Sequence, residues 1–113
     1  IMDNSEPSIC IPRSHNNIMK KTVKDNFEKI FGIDSVERID IVNQSNFDTK
    51  YCKIFVHFRY WSNDPEIYAI RERLLSGNNI KIVYDAPWFW KCSASRFSKP
   101  IINRYTQSSY KLQ

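Results

Sequence analysis

Apolar residues recur along the chain in two rhythms, one of period two and one of period 3.6, and the alternation between them predicts the order of elements. Ser8–Arg13 (SICIPR) sends Ile9 and Ile11 one way and Cys10 the other, which is a short strand closed by Pro12. From Lys20 to Phe31 the apolar positions Val23, Phe27, Ile30 and Phe31 follow helical spacing, with Asn17 as the expected cap and Gly32 as the stop. Val36–Val42 returns to alternation, with Ile39 and Ile41 on one face and Arg38 and Asp40 on the other. After a polar loop, the run YCKIFVHF (51–58) is the clearest strand, eight residues rich in β-branched and aromatic types.

Asp64 and Pro65 form a strong helix start, because the carboxylate accepts from free N–H groups and proline at the first helical position has no donor to lose. The stripe Ile67, Ile70, Leu74 carries that helix to about Leu75, and Gly77 ends it. IKIVYD, a proline turn and WFWKCSAS then predict a small β hairpin arm followed by a fourth strand. The order is βαββαβ, an α+β sandwich of ferredoxin-like type: a four-stranded antiparallel sheet with two helices on one face and the other face open. Residues 8–96 form the expected domain, residues 1–7 a flexible N-terminus, and residues 97–113 a basic, extended or partly disordered tail.

Composition narrows the class. A chain of 113 residues with 42% apolar and 26% charged residues supports one core and little disorder. Cys10, Cys52 and Cys92 are odd in number and far apart, so neither a disulfide framework nor a zinc site is expected, and a reducing intracellular setting fits. No run reaches the roughly 18 apolar residues of a membrane span. The opening IMDNSEPS is polar and acidic where a signal peptide would be basic then apolar, and Ile1 ahead of Met2 makes Met2 the expected native start.

Net charge of +5 is unevenly placed. Residues 1–85 hold twelve Lys/Arg and twelve Asp/Glu, whereas residues 86–113 hold Lys91, Arg96, Lys99, Arg104 and Lys111 and no acid. A localised excess points to a polyanionic partner. Tyr105 and Tyr110 interleave with the tail cations in the manner of single-strand binders.

The first and third strands resemble the two ribonucleoprotein motifs of RNA-recognition-motif (RRM) domains. ICIPRS stands where the six-residue motif belongs and YCKIFVHF where the octamer belongs, with Phe55, Val56 and Phe58 at octamer positions five, six and eight. Cys10 and Lys53 replace two of the three usual stacking aromatics, and Phe55 keeps the third. ICIPR, IFVHFRYW and IKIVYDAPWFWKCSASR in this order also resemble the small RRM-fold proteins encoded by large nucleocytoplasmic DNA viruses, the giant viruses, over about residues 8–96. The resemblance implies a viral protein of the host cytoplasm or virion.

These readings converge on a non-enzymatic RNA or single-stranded nucleic-acid binder. Its expected contacts are Phe55 as stacking ring, with Lys53, His57 and Arg38 on the same sheet face, Phe89 and Lys91 beside them, and Arg96, Lys99 and Arg104 from the tail. Alternation in PWFWK puts Trp88 and Trp90 on one face and Phe89 and Lys91 on the other, and burial of the tryptophans is favoured. His57 and His15 lack neighbours at a metal or catalytic spacing, so His57 reads as a surface residue and Cys10 as structural. No cofactor is expected. The alternative is a degenerate module of the same fold that binds protein, either a second copy of itself or another viral component, through the sheet or the tryptophan segment.

Overall fold

The computed structural model describes residues 3–43 and 50–96. Seven elements follow in the order β1 (Ile9–His15), α1 (Lys20–Phe31), β2 (Val36–Asn43), β3 (Tyr51–Phe58), α2 (Pro65–Leu75), β4 (Ile80–Asp85) and β5 (Trp88–Ala94). They make a small α+β domain with one antiparallel sheet of five strands, ordered β2-β3-β1-β5-β4, and two helices. The expectation of four strands is thereby corrected. IKIVYD is not an arm apart from the sheet but its fifth strand, paired with β5 from Ile80↔Cys92 to Asp85↔Trp88.

Period-two alternation explains which face is buried. Ile9 and Ile11 of β1, Ile54, Val56 and Phe58 of β3, Ile82 of β4, and Trp90 and Cys92 of β5 are buried and share one core with Val23, Phe27 and Phe31 of α1 and Ile67 and Leu74 of α2. Aromatic rings form the centre: Phe31 stands edge-on to Phe58 at 5.3 Å and to Trp61 at 5.2 Å, and Trp90 stacks on Tyr84 at 4.2 Å and on Phe27 at 6.1 Å. Edge-to-face and offset pairs of this kind add to the burial of large apolar area.

Local signals act as expected at α2 and differently at α1. Asp64 accepts from the Glu66 N–H at 2.9 Å, and beyond the helix Gly77 takes φ +89°, a conformation that costs a side-chain-bearing residue dearly. At α1 the cap position is Met19, without a side-chain bond, because Asn17 lies in the turn closed by Ile18 N–H to the His15 carbonyl. Pro12 does not end β1. A bulge between Ile11 and Ser14 absorbs the missing donor and the strand continues to His15.

Residues 3–7, read from the sequence as flexible, pack against the domain. Trp61 donates its indole N–H to the Pro7 carbonyl at 3.0 Å and its backbone N–H to Asn4 at 2.9 Å. The Arg71 guanidinium donates to the carbonyls of Asp3 and Glu6.

Candidate nucleic-acid interface

The strand registers assemble a face opposite the core. Asp40 pairs with Phe55, Phe55 with Cys10, and Cys10 with Ser93, so one row of side chains crosses four strands. Lys53 and His57 flank Phe55 on β3, and Lys91 and Phe89 continue the face along β5. A groove of about 400 Å³ lies over the row, lined by Cys10, Lys53, Phe55, Ser93 and Arg96 among others, and among the described residues no carboxylate lines it. A half-exposed ring between a lysine and an arginine can accept a stacked base while its phosphates meet the cations.

His57 is not the surface residue its sequence context suggests. It is 4% exposed and held from both sides: Nδ1 lies 2.7 Å from Ser8 Oγ and Nε2 lies 2.9 Å from Asp40 Oδ2. Asp40 also accepts from Arg38 Nη2 at 3.0 Å. The order serine, histidine, carboxylate resembles a nucleophile relay, but Ser8 is wholly buried and has no path to a substrate. The network therefore positions its neighbours. His57 lies nearly parallel to Phe55, with ring planes 10° apart and centroids 6.5 Å apart. Arg38 is turned to Asp40 and its Nε is buried without a hydrogen bond, so it is committed to the fold rather than offered to a phosphate.

Phe89 is 43% exposed, with Lys81 Nζ 4.8 Å from its ring centroid, and Lys91 is exposed on the same face. The two tryptophans part company. Trp90 is 1% exposed and donates its indole N–H to Ser14 Oγ at 3.2 Å, whereas Trp88, on the same side of β5, runs past the core and is 63% exposed. Lys99 and Arg104 lie outside the described residues.

Burial raises the pKa of the Cys10 thiol, an effect that Lys53 partly offsets. Cys92 beneath it is pushed up to about 12, chiefly by burial and further by Cys10. Neither thiol is activated. Among the described residues no group of three His, Cys, Asp or Glu side chains could hold a metal ion, and no helix is long and apolar enough to cross a membrane.

Sequence reasoning did not find Ser8 and Asp40 as partners of His57, because one comes from the segment before β1 and the other from β2, and both depend on register. Lys81, beside the Phe89 ring, also escaped it, although its signal was present in its alternation with Ile80 and Ile82. Compared with protein-family models, curated proteins and solved structures, the chain matches none of them.

Proposed function

We propose that the chain is an RRM-like module that binds RNA or other single-stranded nucleic acid without a chemical step. The observation that carries this reading is Phe55, half-exposed at the centre of the sheet face in a groove that pairs it with Lys53 and Arg96 and contains no acid among the described residues. The RRM-like assignment is supported by the strand order, in which β5 takes the place of the fourth strand beside β1 and β4 is an addition outside it. Origin in a large DNA virus belongs to the same proposal and rests on the sequence resemblance. Lys53, Arg96, Phe89 and Lys91 are the contacts retained within the described residues, with Lys99 and Arg104 from the tail.

Anisotropy titration of a labelled single-stranded RNA at low and moderate salt tests the reading. Micromolar binding that weakens with salt is expected, and Phe55→Ala should weaken it roughly five- to 150-fold, the equivalent of one stacked base at about 1–3 kcal/mol. Absence of binding at low salt, or an unchanged Phe55→Ala variant, would overturn it.

A second reading is favoured by Trp88, which sits exposed beside Tyr84 and Ile18 in a hollow of about 300 Å³. Exposed tryptophan beside apolar neighbours suits a protein contact, here a second copy of the chain or another viral protein. Light scattering separates the two: a salt-insensitive dimer lost on Trp88→Ala supports the contact, and a monomer at all concentrations removes self-association.

A further inference from the structure

A second groove, of about 510 Å³, opens where the start of β4 meets the end of α2, lined by Arg73, Asn79, Ile80, Lys81 and Lys91. Among the described residues, three of the five that line it are cations and none is an acid. Lys81 and Lys91 are directly paired across the β4–β5 ladder, an arrangement of like charges that weakens a sheet and that stability alone does not select. Arg73 is held at the groove by its Nε donating to the Asn79 carbonyl at 3.1 Å, and its two Nη groups make no hydrogen bond to a described residue. A guanidinium fixed by one edge presents the other edge to an anion, with two lysines as further donors.

We infer that the Arg73–Lys81–Lys91 groove binds a backbone phosphate of the single strand as it leaves the sheet over the β4 edge. The inference rests on the nucleic-acid reading of the Phe55 groove and extends its footprint. The two grooves share β5: Ser93 lines the first and Lys91, two residues back on the same face, lines the second. From Phe55 to Lys91 is two strand spacings across and two residues along, roughly 12 Å at ~4.8 Å per strand and ~3.3 Å per residue. A short oligomer can occupy the first groove alone, whereas a longer one reaches both.

The test compares uridine oligomers of roughly four and roughly twelve nucleotides, within the range one small domain covers. It uses the full chain and an R73Q/K81Q double variant, whose substituted residues are exposed and outside the core. For the long oligomer the double variant should bind roughly tenfold more weakly at low salt, with a log-log salt slope shallower by about 0.7 for the one lost phosphate contact. For the short oligomer it should match the unaltered chain. Equal losses on both lengths, or an unchanged long-oligomer affinity and slope, overturn the inference. Titration of the isotopically labelled chain with inorganic phosphate gives a reading independent of the Phe55 groove. Shifts of the Asn79, Ile80 and Lys81 amides that vanish in the double variant support the groove even if no oligomer binds, the outcome in which only the platform reading fails. Phosphate that leaves those amides unmoved counts against the groove whatever the oligomers do.

Discussion

Replacing Asp40 with alanine removes the acceptor that His57 Nε2 reaches at 2.9 Å and the partner of Arg38 at 3.0 Å. The two losses differ in weight. His57 is almost wholly buried, so depriving its ring of an acceptor costs on the order of 1–3 kcal/mol, even with the bond to Ser8 intact. Asp40 is 36% exposed and Arg38 25%, so their ion pair is screened and adds no more than about 1 kcal/mol. Asp40→Ala should therefore lose roughly 2–3 kcal/mol in urea unfolding at an unchanged slope, and Asp40→Asn, which keeps an acceptor oxygen, less than half of that. The loosened ring should also weaken oligomer binding, since His57 neighbours Phe55 on β3 with its ring nearly parallel. An Asp40→Ala variant within about 0.5 kcal/mol of the unaltered chain would refute the reasoning and demote the network to surface decoration.

Two further outcomes follow from the core. Trp90→Ala removes the largest fully buried side chain together with the donor to Ser14, and should cost about 3–5 kcal/mol in the same assay; a loss under about 1 kcal/mol would mean that β5 is not anchored as described. With a thiol reagent at mildly alkaline pH, Cys10 should react well ahead of Cys52 and Cys92, which need unfolding, so three equal rates would contradict the burial. Because the folded pKa of Cys92 lies above its ordinary value of 9.0, its stabilising share is fully present below pH 9.0 and is lost as pH rises toward about 12. That share amounts to about 4 kcal/mol, and Cys92→Ala should abolish its pH dependence.

Much of the architecture was legible because its signals are local. The alternation of YCKIFVHF placed Phe55, Lys53 and His57 on one face without any neighbour being known, and Asp64–Pro65 marked the start of α2 to the residue. What escaped is non-local. Alternation assigns a face but not a depth, so the burial of His57 depended on Ser8 and Asp40 arriving from β2 and the segment before β1. Pro12 removes one donor, and whether a strand ends there or bulges is decided by the partners on each side. IKIVYD read correctly as extended, yet its place at the sheet edge depends on Ile82 and Tyr84 packing beside Trp90. Lys99 and Arg104 fall outside the described residues, and of them only the charge is read from the sequence.

The bulge in β1 bears on how the domain opens. Beyond Cys10 the strand leaves β5, and the backbone seam joining the β4–β5 hairpin to the rest of the sheet is short: the pairs Ile9↔Ala94 and Cys10↔Ser93, with the Ser95 N–H donating to the Ser8 carbonyl at 2.8 Å. Between β1 and β3, by contrast, five register pairs span the full length. The hairpin's hold on the rest of the domain therefore comes less from the ladder than from Ile82, Trp90 and Cys92 in the shared core. The hairpin's amides should exchange with solvent before those of β3. Since it carries Lys81 and Lys91, two of the cations proposed to meet phosphate ride on the part of the sheet with the shortest ladder to β1.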